Sequence, residues 1–357
     1  MFHDAHLADT PPTAIKPSDH GPVPNPLPRL LEGEDLPAED AEHLFERLVI
    51  GKLEPAEIAG LLIALRMKGE TADEMIGAAR ALGAAALPFD RPDYLFADCC
   101  GTGGDSSGLI NVSTATAFVA AACGLPVAKH GNRCVSSQCG SADVLEALGA
   151  RIEVTPDKAR AMLDDIGFCF LFAPAYHPGM KHAAPVRRQL QVRTVMNLLG
   201  PCLNPARPPV QLVGVADPAM LDKIALILAA LGVRDALVVH GAGLDEVALH
   251  GETRALRLNN GEVTALTISP EDAGLERAPL SVVKGGDPAE NARRLRALLD
   301  GQGPPAERDI VILNCAALLV ASGLSADLRQ GAALARHALA SGAPGGLLDR
   351  FVEASNG

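Results

Sequence analysis

Four intervals of this chain hold most of the side chains that could do chemistry. The first runs from Gly101 to Asp105 and reads Gly-Thr-Gly-Gly-Asp, directly after a short apolar stretch. Glycines there let backbone amides approach an anion with no Cβ in the way. A helix that follows adds unpaired N–H groups and the positive end of its dipole. The run matches neither Gly-x-Gly-x-x-Gly nor the Gly-x4-Gly-Lys-Ser/Thr nucleotide loop, so alone it describes a tight strand-to-helix turn equally well. The second interval is Asn111, Val112, Ser113 and Thr114 at the head of an alanine-rich segment. Ser and Thr routinely cap helices, and read alone capping is the simpler account. The functional alternative gives their hydroxyls phosphate oxygens or a magnesium ion as partners.

The third interval shifts that balance. Lys129, His130, Asn132, Arg133, Ser136, Ser137 and Ser141 crowd together, and Gly131 and Gly140 permit close backbone approach. Two donor-rich loops after two strands meet at one end of a parallel sheet, where open α/β sheets bind ligands. Such a pair suits a ligand with several phosphates. The fourth interval is Asp245 and Glu246, after the strand-like Val238–His240 and a glycine loop. Adjacent carboxylates are common on surfaces. Facing phosphate loops they suit magnesium, which takes one or two carboxylates plus waters and substrate phosphates. Arg187, Arg188 and Arg193 lie in a basic stretch between Pro178 and Pro205 and also fit the wet face of a helix. His177, before Pro178, fits a structural role better than a catalytic one. No Ser-His-Asp order and no nucleophile elbow is present.

These loops need a frame. Tyr94–Cys99 and Val127–Lys129 read as strands, with a helix to Cys123 between them that Gly124 and Pro126 stop, and another from Ser141 to Gly149. Strand, loop and helix repeated in this way predict a mostly parallel sheet with crossover helices. Gln211–Val215, Ala236–Val239 and Ile310–Leu313 are further predicted strands; Met220–Leu231 and Ala289–Leu299 are predicted helices. Asn260-Gly261 between Arg254–Leu258 and Glu262–Ile268 signals an antiparallel hairpin. Upstream, from Leu30 to Leu87, apolar residues recur at helical spacing: Leu44, Leu48 and Ile50 on one face, Ile58, Leu61, Leu62 and Leu65 on another. Gly51, Gly69 and Gly83 punctuate them. The fold expected is α/β: a small all-helical domain over 30–93, then a larger domain over 94–357 with a mostly parallel sheet flanked by helices. Residues 1–29, rich in Pro and Asp, read as a loosely attached extension.

Composition narrows the partners. The 357 residues carry a formal charge of −12, no Trp and only 3% aromatics. The charge argues against nucleic acid and anionic membrane, and the lack of aromatics against a base-stacking platform. No apolar run approaches the roughly 20 residues of a membrane span. The eight cysteines form no Cys-x-x-Cys pair, which disfavours zinc. Free thiols and no visible secretory signal give a cytoplasmic expectation. The residues alone thus describe a cytosolic α/β enzyme acting on a polyphosphorylated metabolite with magnesium.

The same runs resemble one family closely. Gly101–Asp105, Asn111–Thr114, Lys129–Arg133 and Gly140–Gly149 look like the anthranilate phosphoribosyltransferases of tryptophan biosynthesis, as do Ala64–Glu70, Asn197–Pro201 with Asn204-Pro205, and Gly243–Glu246. The likeness runs from about residue 30 to the end, with its motifs in the family's order. It implies a helical domain joined in space by the 178–205 helices, an active site in the cleft against the α/β domain, and a homodimer through the helical domain. It also implies the reaction: anthranilate and phosphoribosyl pyrophosphate give N-(5-phosphoribosyl)anthranilate and pyrophosphate.

Family roles then fall on matching positions. Gly101, Gly104, Asp105, Asn111, Val112, Ser113 and Thr114 would hold phosphoribosyl pyrophosphate, and Lys129, His130, Gly131, Asn132, Arg133, Ser136, Ser137 and Ser141 would continue the cradle. Gly101, Asn132, His177 and Arg187 would meet anthranilate. Ser113, Asp245 and Glu246 would hold magnesium, two ions per subunit. No side chain is expected as a covalent nucleophile or general base. Leu109 stands where the family usually has Thr, and Gln138-Cys139 replaces the frequent Lys-Ser, which removes a charge from the pyrophosphate side. A pyrimidine nucleoside phosphorylase shares the architecture, but would have Ser after the loop lysine and lack Asp245-Glu246. A noncatalytic nucleic-acid-binding relative is disfavoured by the net charge and the intact motifs.

Overall fold

The computed structural model describes residues 25–134 and 138–357. Most of the expected extension, and the predicted ligand residues Ser136 and Ser137, lie outside them. Seven strands form one sheet: β1 (Ala97–Gly101), β2 (Val127–Gly131), β3 (Phe168–Phe172), β4 (Val210–Gly214), β5 (Asp235–Gly241), β6 (Thr253–Asn259) and β7 (Glu262–Ile268). Their order is β3-β2-β1-β4-β5-β6-β7. The first five are parallel, and the hairpin at Asn260-Gly261 adds β6 and β7 antiparallel. The chain runs outward from β1 to β3, then returns to β4 on the other side of β1. The gap between β1 and β4 is therefore the topological switch, where parallel sheets open a crevice at their carboxyl ends.

Successive strand residues serve opposite faces. Val210 and Leu212 of β4 and Leu237 and Val239 of β5 enter a core with the helices Val112–Ala122, Pro305–Ser322 and Ala343–Asn356. Val213, Val215, Ala236 and Val238 face the other way, onto the helix Leu221–Ala230 and the N-terminal helices Ala38–Val49, Pro55–Lys68 and Ala72–Ala84. The helical bundle and that sheet face thus share one apolar cluster. Short helices at Ala184–Leu190 and Val195–Leu198 pack back onto the bundle.

Five details differ from the sequence reading. Ile310–Leu313 is no strand but the middle of the 18-residue helix Pro305–Ser322, closed by Gly323 at φ +78°. A short apolar run does not distinguish the two; only length does. Phe168–Phe172, all five residues buried, is a strand the reading missed. Ile50 ends its helix pointing to solvent, 59% exposed, while Leu44 and Leu48 are buried. Gly83 lies inside the helix Ala72–Ala84 rather than ending it. A helix at Leu27–Leu31 buries Leu30, so the helical domain includes residues slightly before residue 30.

Candidate active site

A cleft of about 1330 Å³ opens at the carboxyl ends of β1, β2 and β5 and is closed on its far side by the 178–205 segment. β1 delivers Gly101, which must lack a side chain because a Cβ there would overlap Asp245 Oδ2. That absence lets the turn after β5 come close enough for the Gly103 N–H to donate to Asp245 Oδ2 at 2.7 Å. Asp245 and Glu246 are carried there by a tight turn with Ala242 at φ +49° and Gly243 at φ +98°.

The electrostatics of this corner are acidic. Burial, and then the charge of Asp105, pushes the Asp245 carboxyl up to about 7. Burial and the charge of Asp245 push Glu246 well above its ordinary range, with Lys129 acting in the opposite direction. Asp105 accepts from the Ser107 N–H through Oδ1, and its Oδ2 is buried without a hydrogen-bond partner among the described residues. Crowded carboxylates and an orphaned carboxylate oxygen are what a divalent cation would relieve. Among the described residues no three His, Cys, Asp or Glu side chains form a closed metal cage. The donor set fits an ion that completes its shell with water and phosphate oxygens, as magnesium does.

The helix Val112–Ala122 starts at the same corner. None of its leading side chains caps it: Asn111 occupies the N-cap with no side-chain cap bond. Its Nδ2 donates to Cys139 O at 3.1 Å and its Oδ1 accepts from Asn291 Nδ2 at 3.0 Å. The Ser113 N–H faces Glu246, and Ser113 Oγ accepts from Lys129 Nζ at 3.2 Å. Thr114 Oγ1 is buried without a partner among the described residues. The capping account of these residues therefore fails locally. Lys129 itself is 1% exposed, its Nζ also donating to Cys99 O at 2.5 Å. It stands beneath Ser113 as the buried cation among Asp98 and Glu246.

β2 ends at Gly131 and releases Asn132, which is exposed at the cleft. Its Oδ1 accepts from the Arg133 N–H and its carbonyl from Ser141 Oγ, which fixes the turn. The Arg133 guanidinium is turned away: it pairs with both Glu146 oxygens and stacks over Phe172 at 4.7 Å. His130 is held by its Nδ1 against Gly200 O at 3.3 Å, and burial pushes it down to about 3, so it is neutral. Its Nε2 is buried without a partner among the described residues.

The 178–205 segment supplies the opposite wall. His177 is 6% exposed with its Nε2 spent on Leu203 O at 3.0 Å, and its ring meets His130 edge-on. It is a wall of the cleft rather than a free acid or base. Arg187 is partly buried, burial holds its guanidinium below the ordinary arginine range, and no hydrogen bond or ion pair occupies it among the described residues. Arg188, one residue on, is exposed.

Sequence reasoning gave no site role to three groups, Arg193, Asp98 and Asn204. Arg193 reaches the glycine loop. Asp98, fully buried in β1, accepts from Asn204 Nδ2 at 2.9 Å and from the His130 N–H at 3.3 Å. Asn204 Nδ2 also donates to Ala128 O at 2.8 Å, so the 178–205 segment is bolted to β1 and β2. A carboxylate inside an apolar strand was the available signal, because unpaired charges are almost never buried.

Comparison with known proteins follows the same division. Residues 27–86 match the helical bundle domain of a glycosyl transferase family, and residues 93–344 match its a/b domain. An anthranilate phosphoribosyltransferase of Sorangium cellulosum is 56% identical over 326 residues, 91% of this chain and 94% of the relative. The crystal structure of the Thermus thermophilus anthranilate phosphoribosyltransferase superposes with a TM-score of 0.88 at 44% identity, over 93% of this chain and all of that one. The Saccharomyces cerevisiae enzyme in complex with phosphoribosyl pyrophosphate and Mg superposes with a TM-score of 0.86 at 27% identity, over 94% and 98%.

Proposed function

The chain belongs to the anthranilate phosphoribosyltransferases, and we propose that the cleft at the switch between β1 and β4 is where it runs that family's reaction. As a glycosyltransferase of tryptophan biosynthesis, it moves the 5-phosphoribosyl group of phosphoribosyl pyrophosphate to the anthranilate amine and releases pyrophosphate. The observation that carries the assignment of the site is the meeting, through Gly103, of a glycine loop with the Asp245–Glu246 turn at the mouth of a helix. The loop and helix offer amides to phosphate, and the turn offers carboxylates to a cation.

The donor's phosphates lie against Gly101–Asp105, the amides of Val112–Thr114 and the residues 131–134 and 138–141 from the end of β2 onward. Asp245, Glu246 and the Ser113 hydroxyl hold magnesium, two ions per subunit. Bound there, it supplies positive charge to the departing pyrophosphate. Lys129 holds Ser113 Oγ from beneath and adds a fixed positive charge at no reorganisation cost when the bond breaks. The C1–oxygen bond breaks with its electron pair on pyrophosphate, and the amine lone pair forms the new C–N bond. An aromatic amine is neutral near pH 7, so no strong base is needed and its proton passes to solvent or product. Arg187 grips the anthranilate carboxylate, Asn132 stands beside the acceptor, and the neutral His130 and His177 rings wall the pocket. Fixing both reactants in one geometry contributes much of the rate.

Exposed Leu31 and Met67, at 72% and 81%, lie on two helices of the bundle that pack on one another and support a homodimer through it. No helix among the described residues is long and apolar enough to cross a membrane. The deciding experiment follows loss of anthranilate fluorescence with phosphoribosyl pyrophosphate and magnesium. No turnover there, with orthophosphate-dependent cleavage of a pyrimidine nucleoside instead, would give the protein to the phosphorylase branch.

A further inference from the structure

Arg193 stands outside every role given above, yet its side chain crosses the cleft. Its Nη2 donates to Gly103 O at 2.8 Å and to Thr102 O at 3.3 Å. The guanidinium lies against Gly104, where a Cβ would overlap Nη1. Gly104 sits at φ +86°, a conformation glycine adopts readily. Gly104 thus has a second reason to be glycine: an arginine from the facing segment occupies the space a Cβ would need.

The other side of the loop is tied to the α/β domain. The Gly103 N–H goes to Asp245, the Thr102 N–H to Gly214 O at 2.9 Å, and Thr102 Oγ1 accepts from the Ala216 N–H at 3.1 Å. In a trans peptide the C=O and the next N–H point in opposite directions. Holding Thr102 O toward Arg193 therefore aims the Gly103 N–H at Asp245, as observed. Holding Gly103 O toward Arg193 likewise aims the Gly104 N–H to the side away from Arg193. One guanidinium sets two consecutive peptide planes.

Arg193 is itself fixed. Gln191 ends the helix Ala184–Leu190 in the left-handed region at φ +52°, unusual for a residue with a side chain, and turns the chain toward the loop. Immediately after Arg193, the Thr194 N–H donates to Asn197 Oδ1 at 3.0 Å, and Val195 and Met196 are buried in the bundle-side cluster. The Gln191 N–H in turn donates to the carbonyl of Arg187. A single short segment carries Arg187 at one end and Arg193 at the other.

We propose that Arg193 is a positioning residue for the donor substrate: it presets the Thr102–Gly104 peptides for the pyrophosphate of phosphoribosyl pyrophosphate and links that loop to the segment bearing Arg187. The inference rests on the proposed placement of the donor. Wild-type protein is therefore assayed first, and failure to consume phosphoribosyl pyrophosphate overturns that reading rather than this one. Given an active wild type, Arg193→Ala removes two charge-assisted bonds and should raise the KM for phosphoribosyl pyrophosphate by about ten- to a hundredfold. The KM for anthranilate should stay within about twofold, since the backbone of the Arg187 helix is untouched. Arg193→Lys, which can reach one carbonyl but not both, should fall between. The decisive readout is made without any ligand: amide exchange over residues 101–108 should accelerate about tenfold or more in Arg193→Ala. Unchanged exchange there means the arginine does not set the loop, and the proposal falls, whatever the kinetics. It falls equally if the donor KM stays within twofold or if the anthranilate KM rises as much. Should the alanine variant not fold, a lysine variant with wild-type exchange and donor KM overturns it alone.

Discussion

Replacing Arg187 by alanine isolates acceptor recognition from the rest of the cleft. The guanidinium is partly buried, lines the cavity, and has no ion pair or hydrogen bond among the described residues. A planar anthranilate carboxylate can take two parallel N–H bonds from it, which an ammonium cannot offer. A hydrogen bond to a charged group contributes about 1.5–3 kcal/mol, and the two share one desolvated pair, so a total of about 2–3 kcal/mol is reasonable. That is roughly a thirty- to hundred-and-fifty-fold rise in the KM for anthranilate. The KM for phosphoribosyl pyrophosphate should move by less than about twofold, because sites with no shared partner act independently. Arg188→Ala is the internal control: its side chain is exposed, and about 100° separates adjacent helix positions, so less than a threefold effect is expected. The free protein gives a second reading. Holding an unpartnered cation partly out of water is unfavourable, so ligand-free Arg187→Ala should be at least as heat-stable as wild type. Steady-state titration of both substrates and a thermal melt suffice. An Arg188 effect equal to that of Arg187 would refute the reasoning, as would a donor KM that rises with the acceptor KM, or a marked fall in melting temperature.

Three further outcomes follow from the acidic corner and its neighbours. Asp245→Asn with Glu246→Gln should leave the fold intact and abolish most magnesium-dependent turnover; near-normal rates at limiting magnesium would remove both carboxylates from the metal assignment. The raised pKa of Asp245 also has a stability consequence. Between its unfolded value near 4 and its folded value of about 7 the folded chain binds more protons than the unfolded one, so stability falls as pH rises through that window. Metal-free protein should therefore melt lower at pH 8 than at pH 5.5 by more than the Asp245→Asn variant does, and magnesium should stabilise it more at the higher pH; a flat difference would contradict this. Finally, Arg133 is paired with Glu146 at the surface, so Arg133→Ala should cost at most about 1 kcal/mol of stability. It should also change the donor KM by less than about threefold, since only the backbone of Arg133 faces the cradle; a tenfold rise would mean that the guanidinium leaves Glu146 for phosphate.

Much of this protein is written locally. The glycine loop, the polar interval that begins at Lys129 and the carboxylate pair each follow an apolar run, and local rules for turns and helix starts are enough to place these on strand ends and Asn111–Thr114 at a helix start. The hairpin at Asn260-Gly261 was legible for the same reason: a turn is decided by a few adjacent residues. The helix beginning near Asn111 was legible from its alanine-rich run, although no side chain caps it. The run Ile310–Leu313 marks where that reasoning stops. Four apolar residues satisfy a buried strand and a buried helix alike, and what settles it is the fit of an 18-residue helix against β4 and β5.

The sequence by itself determined the chemistry available: anion-binding amides, a carboxylate pair for a cation and guanidinium groups for a carboxylate, in an order that matches one family. Tertiary structure alone decided which groups meet. Asp245 lies 142 positions from Gly103 in the chain, and Arg193 lies 90. No periodicity spans such distances; contact between them follows from β1 lying at the switch, with β4 and β5 on one side and β2 on the other. The fold likewise turned Arg133 toward Glu146 and left Arg187 without a partner among the described residues, though both are arginines in basic, polar surroundings. What a side chain can do is fixed by its type, but what it is free to do depends on which partners the folded chain has already given it.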